Sequence, residues 1–332
     1  MTASAFVLAA GFGTRLRPLT EVRPKPLVPI CGVPALAYSL ALCAEHGLRE
    51  VIVNAHYLGE QLKAWEGSHE GVHVTISLEQ PEILGTGGGL KHVTDQLADR
   101  FVVLNADVLH DVDLSALLAA MPDHGAAMAL RPHPDDAERY GVVAADPTGR
   151  IVALTSLAEA PSEGEARRDT HFTGIHALHR DTLQHVPDGF ACIVRSAYTE
   201  LVPQRRVGSI RHPGVWLDAG DPAAYLQANL DVLHGRTRLA LDPFTRAAVF
   251  QRADGSGEGH LPEVALEGPV WVGPGARVAP GAALSSSVVG ADSVVPHDAS
   301  LSDCVVWSGV TVPPGVHEGV VFFADGRRWP EA

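Results

Sequence analysis

The sequence predicts an α/β protein in which a mostly parallel mixed sheet, flanked by helices, is followed by a short parallel β-helix. Strand-like and helix-like segments alternate from residue 4 to about residue 235, which is typical of a sheet covered by helices on both faces. From about Val270 an apolar residue recurs every six positions between glycine and proline turns, as in a parallel β-helix. We therefore expect a first domain over residues 1–240, a linker over 241–264 and a repeat domain over 265–332.

The elements of the first domain follow from apolar runs and from helix start and stop signals. Pro34 and Gly47 bracket the first predicted helix, over residues 34–45. The other predicted helices cover residues 58–65 and 89–97, and the predicted strands cover residues 5–10, 50–54, 72–78 and 101–104. Because sites in such sheets gather at the carboxyl ends of strands, we expect functional residues just after these strands.

The repeat region contains one irregular step. Its apolar positions are six residues apart, except for one five-residue step, at Val272, Val278, Leu284, Val289, Val295, Leu301 and Trp307. Since about three hexads make one coil, these seven positions predict a little over two coils. A stack this short leaves open coil ends, which predicts packing on the first domain or on a neighbouring subunit. We also expect a homo-oligomer. The polar segment 253–259 before the repeat is expected to be flexible.

Composition excludes several classes of protein. The chain has 332 residues and a formal net charge of −14, which argues against a nucleic-acid partner because phosphate backbones require a basic surface. No apolar run reaches membrane-spanning length and no secretory signal precedes the first strand, so we expect no membrane partner and a cytoplasmic location. The four cysteines lack Cys-x-x-Cys spacing, which predicts reduced, mostly buried thiols.

The most informative segment is the glycine turn after the first strand. Gly11 and Gly13 end an apolar run, Arg15 follows at once, and Lys25 comes later between two prolines. Glycines let backbone N–H groups approach anionic oxygens, and cations neutralise the charge that moves in phosphoryl or nucleotidyl transfer. The spacing matches neither the dinucleotide-binding fingerprint nor the P-loop. The segment therefore predicts a triphosphate site of another kind.

Two strings carry a family resemblance: LAAGFGTRLRPLT from Leu8 to Thr20, and PKPLVP from Pro24 to Pro29. Together they closely resemble the signature of the sugar-1-phosphate nucleotidylyltransferases. The resemblance implies a Rossmann-like catalytic domain and, since many members carry one, a left-handed β-helix after it. It also implies the reaction, in which a sugar-1-phosphate oxygen attacks the α-phosphorus of a nucleoside triphosphate and expels pyrophosphate, with Mg²⁺ as cofactor.

The same resemblance places phosphate and metal contacts. It implies a nucleotide-binding turn formed by Leu8, Ala10, Gly11, Gly13 and Thr14. Arg15 would contact the β- and γ-phosphates, and Lys25 the α-phosphate or the pyrophosphate oxygens. Asp107 follows Asn105-Ala106, where an alanine replaces the family's usual glycine, and Asp218 lies in WLDAGDP, which resembles the family's Trp-x-Asp-x-Gly-Thr-Pro. Asp107 is thus implied as a catalytic residue that holds Mg²⁺ together with Asp218, through the oxygen ligands that this ion prefers.

Further segments resemble those that line the nucleoside and the sugar. Residues 79–89 resemble the Leu-Gly-Thr-Ala-Gly segment that packs on base and ribose, which implies contacts from Gln80, Gly85, Thr86 and Gly88. Residues 140–143 and 172–175 resemble the segments that line the sugar side. With the tryptophan of the WLDAGDP string, they imply sugar-side contacts from Gly141, Thr173, Gly174 and Trp216.

One departure puts the sugar substrate in doubt. After residues 149–152 many members carry Glu-Lys-Pro, whose glutamate binds a sugar hydroxyl and whose lysine binds the sugar phosphate, whereas this chain reads Leu154-Thr155-Ser156-Leu157. Glu159 lies nearby as a candidate glutamate. Arg167, Arg168 or, from the far side, Arg195 would have to replace the lysine, or sugar-phosphate affinity is weak.

The substrates stay open between alternatives. We prefer a mannose-1-phosphate guanylyltransferase acting with GTP, because Leu84-Gly85-Thr86 and the appended β-helix suit it. Gln80 instead favours a uridylyltransferase that uses UTP and a glucose- or hexosamine-type 1-phosphate. The missing lysine motivates a third reading, a catalytically weak regulatory paralogue. An acyltransferase role for the β-helix has less support, because the coils are few and His297 and His317 are expected in surface turns.

Overall fold

A computed structural model describes residues 3–132, 140–154 and 167–331 of the chain. The described α-helices are α1 Ala35–Glu45, α2 Gly59–Leu62, α3 Gly85–His92, α4 Leu114–Ala119, α5 Ala197–Leu201 and α6 Pro222–Leu233. None of these helices has the length and apolar character needed to cross a membrane.

Strands before residue 220 are, in chain order, β1 Ala3–Leu8, β2 Pro29–Ile30, β3 Val33–Pro34, β4 Glu50–Ala55, β5 Gly67–His69, β6 Val72–Leu78, β7 Leu97–Asn105, β8 Val108–His110, β9 Ala126–Pro132, β10 Val143–Ala145, β11 Ile151–Leu154, β12 Arg167–His179, β13 Val207–Arg211 and β14 Trp216–Asp218. They confirm the four strands predicted over residues 5–10, 50–54, 72–78 and 101–104 to within a few residues. The buried apolar runs therefore marked the strands correctly.

The chain folds into two compact units that interleave in sequence. Unit 1 comprises Met1–Phe12, Ser39–Ala106 and His110–Trp216, and unit 2 comprises Gly13–Tyr38, Asp107–Leu109 and Leu217–Ala332. The division of the sequence into residues 1–240, a linker over 241–264 and residues 265–332 stays a prediction. Residues 13–38, which carry Arg15 and Lys25, belong to the same unit as the C-terminal strands.

Unit 1 is built on a mixed sheet in the order β11-β10-β12-β7-β1-β4-β6-β5, with β9 joining β12 to β13. Its centre is parallel, as predicted: β1 pairs in parallel with β4 and β7, and β4 with β6. The antiparallel part comes mostly from β12, which runs against β7, β9 and β10. Residues 5–7 of β1 are fully buried, as expected for a strand covered on both faces.

Helix α3 begins earlier than the sequence predicts. Residues 89–97 were expected to be helical, whereas the helix starts at Gly85 and is followed by a 3-10 turn at Thr94–Gln96. Glycine is a poor helix former, so a run of glycines at 87–89 gave no helix signal. All three are buried, and tertiary packing overrides their low intrinsic propensity.

Strands of the C-terminal region are β15 Val249–Gln251, β16 Gly257–Glu258, β17 Ala265–Val272, β18 Arg277–Val278, β19 Ala283–Val289, β20 Val294–Val295, β21 Ala299–Ser302, β22 Val305–Val306, β23 Gly315–Glu318, β24 Val321–Phe323 and β25 Arg327–Trp329. They stack in parallel, with Ala265 paired to Ala283, Ala283 to Ser300 and Ser300 to Val316. Each coil therefore takes 16 to 18 residues, close to the three hexads expected.

Parallel stacking extends further than the little over two coils predicted. It begins at Ala265 and ends with Val306 paired to Phe322. The apolar pattern did not indicate the last coil, because a histidine occupies one of its inward positions. His317 is 8% exposed, and its Nε2 lies 2.9 Å from the Pro313 carbonyl oxygen. The expectation that His317 lies in a surface turn is therefore wrong, whereas His297 is 77% exposed, as expected.

Part of the predicted linker is regular structure. Pro243–Arg246 forms a 3-10 turn, and β15 pairs antiparallel with both β16 and β17. The guanidinium of Arg252 lies over the Phe244 ring, 4.2 Å from its centroid. These residues cover the first coil of the β-helix and shield its open end.

Candidate active site

The glycine turn starts from a fixed strand end in unit 1. The Ala9 N–H donates to Asn54 Oδ1 at 2.6 Å, and the Ala106 N–H donates to the Leu8 carbonyl at 3.1 Å. Ala10 is buried, whereas Gly11 is exposed and a Cβ added there would meet no atom within 4 Å. The backbone at Gly11 is therefore open to a ligand.

In unit 2 the turn continues through Gly13, which has a φ of +62°. A Cβ there would lie 2.8 Å from Thr20 Cγ2, and Thr20 Oγ1 donates to the Gly13 carbonyl at 2.8 Å. The chain then enters the 3-10 turn Thr14–Leu16, in which Leu16 is buried and Arg15 is exposed. Anchoring by Thr20 and Leu16 leaves the Arg15 guanidinium on the surface, where it can reach an anion.

Lys25 and Asp107 form an ion pair in unit 2. The Lys25 Nζ donates to Asp107 Oδ2, and the two side chains are 11% and 28% exposed. Pro24 is extended and Pro26 lies inside the 3-10 turn Lys25–Leu27, so the backbone that carries the lysine is restricted on both sides. No sequence pattern indicated this pair, because the two residues are 82 positions apart.

Beside this pair is a small cavity lined by Leu16, Lys25, Val28, Ile30, Ala35, Asp107, Ala219 and Tyr225. Asp218 directly precedes Ala219 and ends β14, which pairs with β8, the strand that begins after Asp107. Gly220 lies against the Asp218 carboxylate, because a Cβ there would be 2.9 Å from Asp218 Oδ1. Two predicted metal ligands thus come from segments that meet around one cavity.

The predicted nucleoside segment contacts residues 189–193 within unit 1. The Gly87 N–H donates to the Ala191 carbonyl at 2.8 Å, and the Ile193 N–H donates to Thr86 Oγ1 at 3.1 Å. A Cβ on Gly88 would lie 2.0 Å from the Gly189 carbonyl oxygen. Gly85 and Gln80 precede this contact, and Gln80 is exposed. Thr86 and Gly88 therefore hold the segment in place through protein contacts that the sequence did not predict.

Sequence reasoning also missed Glu79, a buried carboxylate that is 1% exposed. Its Oε1 accepts from Asn54 Nδ2 at 2.7 Å and its Oε2 from the Leu84 N–H at 2.7 Å. Because Asn54 also accepts from the Ala9 N–H, these bonds link the glycine turn to the nucleoside segment. The alternation of β6 gave no signal, since it places Val72 and Val74 inward and Glu79 out of phase with them.

Two of the predicted sugar-side residues, Gly141 and Arg195, line a cavity of about 290 Å³ in unit 1. Its walls are Tyr140, Gly141, Val142, Val143, Leu154, Phe172, Cys192, Val194 and Arg195. Among these lining residues Arg195 alone carries a positive charge. Glu159 lies outside the described residues. The structure thus brings Gly141 and Arg195 to one concave surface.

Trp216 contacts Thr173 and the cavity-lining Tyr140, whereas Gly174 lies against Asn105. Trp216 Nε1 donates to the Thr173 carbonyl at 3.0 Å, and its ring meets Tyr140 edge-on with centroids 5.2 Å apart. Thr173 is buried and its Oγ1 donates to the Ala129 carbonyl. A Cβ on Gly174 would lie 2.2 Å from Asn105 Nδ2. These contacts order Tyr140, which lines the cavity directly.

All four cysteines are free, so no disulfide contributes to the cavity beside Lys25 or to the sugar-side cavity. Cys31, Cys43 and Cys304 are buried, as predicted for structural thiols. Burial raises the pKa of Cys43 to about 12 and that of Cys304 to about 11, so both remain protonated at neutral pH.

Comparison with known proteins assigns the class of this molecule. Residues 4–235 match the nucleotidyl transferase family model, and the chain belongs to the nucleotidyl transferase family. It is 28% identical to a UTP–glucose-1-phosphate uridylyltransferase of Synechocystis over 94% of this chain and 84% of that protein. It is 30% identical to a mannose-1-phosphate guanylyltransferase of Mycobacterium tuberculosis over 86% of this chain and 79% of that protein.

Among solved structures, the fold is similar to that of HddC from Yersinia pseudotuberculosis, with a TM-score of 0.54 and 22% identity. The match covers 69% of this chain and 98% of that one. It therefore supports the fold.

Proposed function

We propose that this protein transfers a nucleotidyl group from a nucleoside triphosphate to a sugar-1-phosphate, forming an NDP-sugar and pyrophosphate. The observation that carries the proposal is the Lys25–Asp107 pair beside the cavity at Ala219, within a chain that matches the nucleotidyl transferase family over residues 4–235. Two relatives at 28% and 30% identity are named for this reaction, one with glucose-1-phosphate and one with mannose-1-phosphate.

The reaction requires the protein to position the two phosphate substrates and to neutralise the charge that develops. An oxygen of the sugar phosphate attacks the α-phosphorus, and the bond from that phosphorus to the bridging oxygen of the β-phosphate breaks. The nucleophile is already an anion, so no general base is required. We assign Arg15 to the departing β- and γ-phosphates and Lys25 to the α-phosphate, where preorganised cations stabilise the charge that develops.

The donor set at Asp107 and Asp218 fits a divalent cation, and we propose Mg²⁺. Both are carboxylates, the hard oxygen ligands that this ion prefers. Asp107 directly precedes β8 and Asp218 ends β14, and these two strands pair next to one cavity. When bound, the ion would neutralise phosphate charge and orient the triphosphate. Lys25, which already donates to Asp107, would share that carboxylate with the ion and help to hold it in place.

Nucleoside contacts are proposed for the turn and loop residues Leu8, Ala10, Gly11, Gly13, Thr14, Gln80, Gly85, Thr86 and Gly88. The cavity lined by Gly141 and Arg195 would take the sugar phosphate, with Arg195 replacing the lysine that this chain lacks. Thr173, Gly174 and Trp216 would shape the sugar side. Arg195 suits this role because its guanidinium can bind phosphate oxygens bidentately.

Substrate choice can be settled by pyrophosphate release. We favour GTP with mannose-1-phosphate over UTP with a glucose- or hexosamine-type 1-phosphate, and a panel that crosses both nucleotides with these sugar phosphates tests the choice. Turnover that is highest with UTP would replace our preferred pair with the alternative. Nucleotide binding without turnover for any pair, with and without Mg²⁺, would support the regulatory paralogue and overturn the proposed reaction.

We further propose a cytoplasmic homo-oligomer. Val316 in β23 is 83% exposed on the last parallel coil, and an apolar side chain at an open coil end is a suitable contact for a neighbouring copy. Light scattering on the purified protein measures the mass, and a monomer at micromolar concentration would contradict this proposal.

A further inference from the structure

The segment that carries both predicted catalytic cations is part of the C-terminal unit. We call residues 13–38 the cation loop; it contains Arg15 and Lys25 and belongs to the same compact unit as residues 217–332. Its regular structure is short, with 3-10 turns and the hairpin of β2 and β3. A loop of this kind needs outside contacts to hold one conformation.

Before Lys25, the cation loop is held by the β-helix. The Arg23 guanidinium lies over the ring of Trp307, 5.0 Å from its centroid. Burial lowers the pKa of Arg23, and the nearby Tyr225 opposes this shift. Arg327 at the start of β25 also pairs with Glu21, with Nη1 and Oε2 2.9 Å apart.

After Lys25, helix α6 and the first coil hold the hairpin. The Tyr225 hydroxyl donates to the Pro29 carbonyl at 2.6 Å, and the Cys31 N–H donates to Asn229 Oδ1 at 2.8 Å. Gly32 lies in close contact with the Trp271 ring, because a Cβ there would be 2.0 Å from it, and the φ of Gly32 is +71°. A larger residue at Gly32 would clash with Trp271 and strain the turn.

One hydroxyl joins the two sides. Trp307 Nε1 donates to the Tyr225 hydroxyl at 2.9 Å, and that hydroxyl in turn donates to Pro29. Tyr225 is fully buried, Trp307 is 2% exposed, and Tyr225 lines the cavity together with Lys25 and Asp107. An indole, a phenol and a loop carbonyl thus form a chain of hydrogen bonds from the β-helix to the backbone four residues beyond Lys25.

We infer that Tyr225 and Trp307 are positioning residues for the transfer reaction, and that the β-helix acts in catalysis by holding the cation loop. They would fix the backbone on both sides of Lys25, so that its ammonium group is placed before the triphosphate binds. Preorganisation of this kind lowers the barrier because less motion has to be lost in the transition state. The expected effect on kcat rests on the proposed function, whereas the expected effect on the structure of the cation loop does not.

The test compares two tyrosines that each lose one buried hydroxyl. Tyr225→Phe removes the bonds to Pro29 and Trp307, whereas Tyr198→Phe removes the contact with His176 Nδ1, 2.6 Å away in unit 1. Both tyrosines are fully buried, so each variant loses a hydroxyl from the protein interior, and urea unfolding measures the stability cost of each. We expect Tyr225→Phe to lower kcat about tenfold, the effect of losing roughly one hydrogen bond, with the KM for sugar phosphate unchanged. Tyr198→Phe should keep the wild-type kcat.

Two further measurements separate positioning from general destabilisation. In a Lys25→Ala background, Tyr225→Phe should cause little further loss, because its effect acts through the lysine. Hydrogen exchange of the amides in residues 25–33 should speed up about tenfold in Tyr225→Phe and not in Tyr198→Phe. Equal effects of the two tyrosine variants on exchange, or an unchanged kcat in Tyr225→Phe, would overturn the inference. If the wild type shows no turnover, the proposed function fails and the exchange result alone decides.

Discussion

Lys25 donates a hydrogen bond from Nζ to the carboxylate of Asp107, and both residues are among those assigned to catalysis. The lysine is the more buried of the two, at 11% exposed against 28%. Removing either partner leaves the other with an uncompensated charge in a partly buried place. Variants here must therefore be judged on stability as well as on rate.

Asp107→Asn should abolish turnover while the protein stays folded. The amide keeps the shape and a hydrogen-bonding oxygen but loses the charge needed to hold a divalent cation. Lys25→Ala should lower kcat about 10²- to 10³-fold, similar to the loss of one oxyanion donor. Pyrophosphate release measures the rate and circular dichroism the fold. Wild-type rates in Asp107→Asn would show that the metal assignment is wrong.

Two glycine variants should differ in their effect on stability. Gly88→Ala should lower the free energy of unfolding by about 3 kcal/mol, because its Cβ would meet the Gly189 carbonyl at 2.0 Å and force the backbone to move. Gly11→Ala should leave stability within about 0.5 kcal/mol of wild type, since its Cβ meets nothing. If the nucleotide approaches the turn, Gly11→Ala should still raise the KM for the nucleoside triphosphate. Urea unfolding and initial rates provide the two readouts.

Arg195→Ala should raise the KM for sugar phosphate at least about tenfold, with a smaller effect on the KM for the nucleoside triphosphate, since a charge-assisted bond contributes about 1.5–3 kcal/mol. Arg238→Ala is the matched control, because Arg238 is exposed and does not line the cavity. Equal KM values for sugar phosphate in the two variants would remove Arg195 from the site and leave the missing lysine without a substitute.

Buried histidines should make the protein less stable in mild acid. Burial lowers the pKa of His176 to about 3, so the folded state stays neutral there while the unfolded chain takes up a proton below pH 6.5. Stability is therefore full above pH 6.5 and is lost as the pH falls toward 3. Between pH 7 and pH 5 the loss from one such histidine is about 2 kcal/mol. In His176→Gln, the free energy of unfolding measured with urea should fall by about 2 kcal/mol less between pH 7 and pH 5 than it does in the wild type. In His297→Gln, which replaces an exposed histidine, this pH dependence should match that of the wild type.

The order of strands and helices could be predicted because each parallel strand is a nearly continuous apolar run. Ala5, Phe6 and Val7 are all fully buried, and their continuous apolar run indicates a strand covered on both faces. The start of α3 at Gly85 could not be predicted. Three of its glycines are required because a Cβ at each of these positions would clash with residues 189–193. Contacts between distant positions leave no local pattern.

The same limit applies to the candidate site. Gly11, Gly13, Arg15 and Lys25 lie within one short string, so their shared chemistry is readable from spacing. Glu79 is also close in sequence to Gly85, yet its role depends on Asn54 in a neighbouring strand. The Lys25–Asp107 pair likewise depends on a crossing of the chain that only the fold reveals.

The fit of Gly32 against Trp271 bears on how such proteins can be recombined. An engineer who grafts the C-terminal coils of a relative onto this chain would exchange the indole but keep the hairpin that was shaped to it. A functional chimera should need residues 13–38 from the same donor as the coils, because the exchangeable module is discontinuous along the polypeptide.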